Sequence, residues 1–320
     1  MSRHRAEEDV RTPWQEGTKE SLVTAGLDPS WVRDVVLRAL TEDLGPDRRD
    51  VTTLATIPAD QESVAQVVAR ADGVVAGLVV IPVVLAETAA WLGMPVASTE
   101  LRAAEGQEVR RGDVVAELSG PTRVLLVAER TMLNLCSHTS GIATHTRAWV
   151  EALAGSGATV LDTRKTTPGL RALDKYGVRA GGGDNKRMGL YDVAMIKDNH
   201  KLAAGSLAQA HQSVRGAFPE IAVQVEVTTV AEAEESVQAG ARFLLCDNMS
   251  LGELGETVRR MRVLSGEIGE PIELEATGGL TLELAAEYAA TGVDYLSVGA
   301  LTHSSPALDL AMDLATVPGR

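Results

Sequence analysis

Residues 158–165 read ATVLDTRK, a short apolar run followed at once by a carboxylate, a guanidinium and an ammonium. The same grammar recurs down the chain. VAMI ends at Lys197, AVQV at Glu226, FLLC at Asp247, IEL at Glu275 and YLSV at Gly299, with helical spacing between the runs. Continuous Val, Ile and Leu runs between helices are the pattern of parallel strands buried on both faces. Six such strands in about 170 residues predict an incomplete, compact α/β barrel, smaller than the eightfold one. The active site of such a barrel lies at the carboxyl ends of its strands, where these polar residues fall. One charged strand end is ordinary loop solvation. Six aligned ends predict a shared mouth, with cations from the first half of the barrel and carboxylates from the second.

The chain of 320 residues is 45% hydrophobic with a net charge of −14, which bounds it as a soluble globular protein of one large or two modest domains. Aromatic residues are only 3%, too few for a row of stacking platforms for single-stranded nucleic acid. A pI near 4.9 argues against general affinity for polyanions or anionic membranes. Yet residues 162–200 carry eight Lys and Arg against five Asp, so cations are concentrated in one segment of an acidic chain. The longest apolar run, VVAGLVVIPVVLA at 74–86, is too short to span a bilayer. The opening MSRHRAEEDV has no apolar signal core, and Cys136 and Cys246 each sit in an apolar segment as reduced, buried thiols would. These features predict a cytoplasmic protein with neither nucleic-acid nor membrane partners.

Ahead of the barrel the signals are mixed α and β. Residues 1–26 lack periodicity and read as a polar N-terminal arm. DPSWVRDVVLRALTEDLG, residues 28–45, predicts a helix with Ser30 as N-cap and an apolar stripe at Val32, Val35, Val36, Ala39 and Leu40. SVAQVVARADG at 63–73 alternates like a strand, and a second helix is expected from about Pro82 to Gly93. EGQEVRRGDVVAELSGPTRVLL, residues 105–126, reads as two strands joined by a turn at Arg111–Asp113. That pattern resembles the domains that carry biotin or lipoate, but Arg110 and Arg111 cannot be acylated, so a packing role is expected instead.

LDTRKTTPGLRALDKYGVRAGGGDNKRMGLYDVAMIKDNH, residues 161–200, closely resembles the signature region of the quinolinate phosphoribosyltransferases, the decarboxylating enzymes of NAD synthesis. EDLG and DVTT within 42–53, ERTMLNLCSHTSGIATHT at 129–146, EATGG at 275–279 and LSVGALTHSSPALDL at 296–310 resemble that family in the same order. The resemblance covers nearly everything after residue 30. It implies a type II phosphoribosyltransferase fold: an N-terminal α/β sandwich over 27–129, with 304–320 packing back on it, and an incomplete barrel over 130–303. It also implies a homodimer or higher oligomer, in which Arg130 acts in trans.

The residues that the resemblance makes candidates fall into two groups. Arg130, Arg164, Lys186, Arg187 and Lys197 would hold quinolinate, because guanidinium forks suit carboxylates. Lys165, Glu226, Asp247, Thr277, Gly278, Gly279, Gly299, Ala300 and His303 would hold phosphoribosyl pyrophosphate, the glycine turns offering free N–H groups to phosphate. Lys165, Lys197, Glu226 and Asp247 are the catalytic candidates, and Glu226 and Asp247 the candidates for Mg²⁺, directly or through water. Two positions depart from the family pattern. Lys186 stands where His is usual, and Thr277 where Ser is usual. The Lys186 change leaves open a same-fold transferase for a different heteroaromatic acid. A Schiff-base aldolase barrel using Lys165 or Lys197 is the more distant alternative. His138 and His145 read as core or interface histidines, and His200 as part of the Lys197 turn.

Overall fold

The structure, a computed structural model, describes residues 14–315. It divides into two compact units, one of the described residues up to Gly141 and from Pro306 on, the other Ile142–Ser305. Among the described residues no helix is long and apolar enough to cross a membrane.

The first unit opens with α1, Thr18–Thr24, and α2, Pro29–Leu44. Part of the expected N-terminal arm is therefore regular structure: Leu22 of α1 is fully buried and Trp14 donates to Glu87 at 3.0 Å. Residues 1–13 lie outside the described residues. The cap of α2 also differs from expectation. Asp28, not Ser30, accepts the free N–H groups of Ser30 and Trp31 at 2.7 and 3.1 Å, because Pro29 at the first helical position needs no acceptor. After α3, Val51–Thr56, come β1, Glu62–Ala69, and β2, Gly73–Val74. The apolar run then forms α4, Ile81–Leu92, which ends at Gly93 as its sequence predicts.

Three further strands, β3 (Ser98–Leu101), β4 (Glu108–Val109) and β5 (Val114–Pro121), precede the long helix α5, Thr122–Ala152. β4 and β5 flank the expected turn but do not pair with each other. β4 pairs with β2, whereas β5 lies between β1 and β3, so the carrier-like hairpin does not form. The C-terminal strand Leu310–Ala315 completes this antiparallel sheet along the other edge of β1. The division between units falls inside α5, after Gly141, and not at residue 129, since the helix runs on unbroken.

All six apolar runs of the second unit are strands: β6 (Thr159–Leu161), β7 (Val193–Ile196), β8 (Ala222–Val227), β9 (Phe243–Asp247), β10 (Glu273–Thr277) and β11 (Tyr295–Ser297). They form one parallel sheet in the order β6-β11-β10-β9-β8-β7. Beside β6 the chain at Asp184 makes a further parallel bridge to Leu161. Helices α6 (Arg171–Ala180), α7 (Asp198–Ala204), α8 (Leu207–Ala217), α9 (Val230–Gln238), α10 (Leu251–Ile268), α11 (Ala285–Ala290) and α12 (Ala300–His303) fill the connections.

Strand alternation then sorts the side chains. Val225, Val227, Leu244, Cys246, Leu274 and Ala276 are buried in one cluster with Ala233 and Val237 of α9 and Leu254, Val258 and Met261 of α10. The intervening Gln224, Glu226, Leu245, Asp247, Glu275 and Thr277 are left for the barrel's inner side.

Gly141 of α5 lets two backbones meet: a Cβ there would stand 2.1 Å from the carbonyl oxygen of Pro306 and 2.8 Å from Cα of Ala307. Neither neighbour is a side-chain tip that can swing away. Gly141→Ala should therefore cost roughly 1–3 kcal/mol, the usual cost of overpacking, read as a lower urea midpoint at unchanged slope. A variant as stable as the parent would show that the close approach is not maintained in solution.

Candidate active site

A cavity of about 540 Å³ opens at the carboxyl ends of the barrel strands. Thr163, Arg164 and Lys165 reach it from the loop after β6, and Lys186 and Arg187 from the segment after Asp184. Lys197 follows β7, Glu226 lies on β8, Asp247 ends β9, and Thr277, Gly278 and Gly279 close β10. Met195 and Leu245 supply apolar wall, and Asn248 adds an amide. The first two were missed in the sequence, although each sits two positions before a candidate and so on the same strand face.

The loops are held by a buried ion pair with no sequence signature. Lys175 of α6 and Asp162 are both closed to solvent, and the lysine ammonium donates to the carboxylate. Asp162 also accepts the Lys186 N–H at 2.9 Å and the Asn185 amide at 2.6 Å, while Lys175 donates to the Lys186 carbonyl at 2.8 Å. Burial pushes the Asp162 carboxyl up and the Lys175 ammonium down, and their mutual attraction opposes both shifts. Arg171 adds a second tie, reaching Thr166 at 3.0 Å, the Met188 carbonyl at 3.1 Å and the Arg164 carbonyl at 3.3 Å.

The expected separation of cations from carboxylates is corrected by the pairing seen here. Lys197 donates to Glu226, and Lys186 to Glu275, so the mouth offsets part of its own charge before any ligand arrives. Lys186 does not point to solvent: its side chain is 11% exposed. Burial, then the nearby Arg187 and Lys197, push its ammonium down, and Glu275 opposes them. Arg187 is likewise lowered by burial and by Arg164. The buried Nε of Arg164 has no hydrogen-bond partner among the described residues.

The β9 and β10 ends are stitched where the Asn248 N–H donates to the Thr277 carbonyl at 2.9 Å. Gly278 passes so close that a Cβ would lie 2.3 Å from Oδ1 of Asn248 and 2.8 Å from its backbone N, and its φ of 91° is one that L side chains rarely adopt. Only glycine fits this turn.

Residues 142–313 match the model of the quinolinate phosphoribosyl transferase C-terminal domain, and residues 50–140 that of the N-terminal domain. The chain belongs to the quinolinate phosphoribosyltransferase family. It is 45% identical over 282 residues to the nicotinate-nucleotide pyrophosphorylase (carboxylating) of Mycobacterium leprae, covering 88% of this chain and 96% of that protein. It is 39% identical to quinolinate phosphoribosyltransferase (decarboxylating) 1b of Nicotiana tabacum, over 89% of this chain and 83% of that one. Among solved structures, NadC from Streptococcus pyogenes superposes with a TM-score of 0.82 at 36% identity, covering 90% of this chain and 98% of that one.

Not every residue implied by the quinolinate phosphoribosyltransferase resemblance lines the cavity. Gly299, Ala300 and His303 stand beside it: the Thr302 hydroxyl donates to the Lys165 carbonyl at 2.8 Å, and the His303 ring bonds Ser304 at 2.6 Å. Arg130 is an exposed residue of α5 in the other unit and is not among the lining residues. His145 is a packing histidine, bonded to Ser305 at 2.8 Å and Trp149 at 3.3 Å. His200 shapes the Lys197 turn, its Nδ1 accepting the Lys197 N–H at 3.0 Å. Cys136 and Cys246 are free and buried, and burial pushes the Cys246 thiol up to about 12.

Lys175→Met would leave Asp162 buried without its counter-ion, at a cost of about 3–5 kcal/mol in stability. The loss should shrink on acidification. A folded-state carboxyl raised above its unfolded value binds more protons than the unfolded chain, so stability falls as pH rises through that window. Urea unfolding of the variant between about pH 8 and pH 5 should narrow the gap to the parent, and a pH-independent gap would refute the assignment.

Proposed function

We infer that this protein transfers the phosphoribosyl group of phosphoribosyl pyrophosphate to quinolinate and decarboxylates the product, giving nicotinate mononucleotide, pyrophosphate and CO2. The observation that carries this is the cavity itself. In an acidic protein it gathers Arg164, Lys165 and Arg187, for which no carboxylate stands within ion-pair distance among the described residues, opposite Glu226, Asp247 and a glycine turn. Both substrates are polyanions with hydroxyl or carboxylate groups to match. Family membership removes the aldolase alternative.

Arg164 and Arg187 grip the two ring carboxylates bidentately, with Lys186 and Lys197 as point charges beside them. Lys165 meets the pyrophosphate, Glu226 and Asp247 accept the ribose hydroxyls, and the Thr277–Gly279 turn receives the 5′-phosphate on its N–H groups, with Gly299, Ala300 and His303 behind. The ring nitrogen attacks C1′ as pyrophosphate leaves through an oxocarbenium-like state. The nitrogen, now positive, accepts the electron pair released when the C2 carboxylate departs as CO2, and C2 is then protonated. The chain contributes orientation and fixed charge, and no side chain acts as nucleophile.

Among the described residues there is no cluster of three or more His, Cys, Asp or Glu that could hold a metal. Two carboxylates in one cavity suit Mg²⁺, which takes few protein ligands and completes its shell with water and substrate phosphate. Glu226 and Asp247 would hold it, and when bound it would screen the charge of the departing pyrophosphate. We place the protein in the cytoplasm, in keeping with its two free buried thiols.

Incubation with quinolinate, phosphoribosyl pyrophosphate and Mg²⁺ should release CO2 and nicotinate mononucleotide in equal amounts. Release of pyrophosphate with another pyridine or azole acid, but none with quinolinate, would assign Lys186 to a different acceptor. The exposed Arg130 is assigned to the neighbouring subunit's site in a homodimer. Mixing inactive Arg130→Ala with inactive Lys197→Ala should then recover up to about a quarter of parental activity per dimer, since a random hybrid places one intact site in half the dimers. No recovery after demonstrated subunit exchange would place Arg130 outside the site.

A further inference from the structure

Below the side chains that face the cavity lies a polar group that the reaction above does not use. Gln224 of β8, Glu275 of β10 and Ser297 of β11 are all shut off from solvent. The Glu275 carboxylate takes donors on both oxygens: Lys186 and the Ser297 hydroxyl on one, the Gln224 amide at 2.6 Å on the other. Lys186 also lies 3.5 Å from the Ser297 hydroxyl, and the buried Gln224 Oε1 has no partner among the described residues. A carboxylate placed under a barrel floor is costly unless its lone pairs are matched, and here three donors match them.

The lysine it holds is one of the two residues that depart from the family pattern. A lysine stem is longer and more flexible than a histidine ring, so an unanchored ammonium here could extend into the cavity and occupy the acceptor's space. Arg187 from its own segment and Lys197 after β7 repel it. Asp162, just after β6, and Lys175 of α6 touch only its backbone, and Gln224 and Ser297 carry no charge. Glu226, which pairs with Lys197, and Asp247 line the same cavity, but among the described residues Glu275 is the one carboxylate within ion-pair distance of the ammonium.

We propose that Glu275 is a positioning residue for acceptor specificity: it ties the Lys186 ammonium to the barrel floor and keeps it cationic there, with Gln224 and Ser297 aiming the carboxylate. The acceptor subsite then has its ammonium fixed in place on the floor of the barrel. This rests on the assignment of the acceptor subsite made above. Burial lowers the Lys186 ammonium and Glu275 opposes that lowering, so removing Glu275 leaves burial and two cations acting unopposed, all of which favour the neutral amine.

The test uses Glu275→Gln, which keeps the size of the side chain and one of its two acceptor oxygens while removing its charge, and the double variant Glu275→Gln/Lys186→Met. Quinolinate binding to the whole enzyme is followed by calorimetry from about pH 6.5 to 8.5, in buffers of different ionisation enthalpy, alongside lysine side-chain NMR of the ligand-free protein. The parent should bind with little pH dependence and little proton uptake. Glu275→Gln should lose about tenfold in affinity across that range, the change expected for each pH unit by which Lys186 falls out of its charged form, and should take up close to one proton on binding. In the double variant the pH slope should vanish. The KM for phosphoribosyl pyrophosphate should stay at the parental value, whereas a general structural defect would raise both KM values. A flat profile in Glu275→Gln, with the Lys186 resonance titrating as in the parent, would overturn the proposal. If the NMR shift appears but the parent does not bind quinolinate, the tie between Glu275 and Lys186 stands, and both the acceptor assignment and the proposed part in its specificity fall.

Discussion

A lysine and an aspartate taken out of water together hold the shape of this site. Each buried ion costs several kcal/mol in desolvation, which mutual attraction offsets only when the remaining donors and lone pairs are also satisfied. Asp162 and Lys175 meet that condition by bonding the backbone of Lys186 and the amide of Asn185. The requirement that makes the pair tolerable therefore also pins the glycine-rich segment 181–187. A segment that would otherwise be a mobile surface loop becomes the wall from which Lys186 and Arg187 project.

The same rule, applied twice more, explains how one mouth gathers so many cations. Lys197 and Lys186 each have a barrel carboxylate, Glu226 and Glu275, while Arg164 and Arg187 have none within ion-pair distance among the described residues. Guanidinium tolerates this better than ammonium, since it is more weakly hydrated and stays charged when crowded. Two unpaired guanidinium groups beside two paired lysines match a pocket for planar carboxylates, and the unpaired Lys165 adds a point charge for phosphate. The strongly negative remainder of the chain does not compete, because surface charges farther than about a Debye length are screened.

Much of this was legible in the residues. The six apolar runs and the charged ends that follow them are local features, readable because a buried parallel strand must be apolar along its whole length. Errors fell where a local pattern has more than one tertiary outcome. The strands around Arg111–Asp113 looked like a hairpin, yet the chain turns there between two different sheets, and strand pairing depends on partners far away. Ser30 and Asp28 are both good caps, and Pro29 decided between them. Met195 and Leu245 carry no chemical signal and show as pocket wall only once the strand faces are assigned.

Sequence alone determined the family, the strand content of the barrel and the list of charged residues at its mouth, because each is written in contiguous residues. Which of those charges would be paired was decided by tertiary structure. Lys186 and Glu275 are 89 residues apart, Gln224 and Glu275 are 51 apart, and Lys175 and Asp162 lie on opposite sides of a loop and a helix turn. Their contacts exist because the strands order as β6-β11-β10-β9-β8-β7 and alternate their side chains inward in register. Ion pairing depends steeply on distance and burial, and neither quantity exists until the sheet has assembled around the residues concerned.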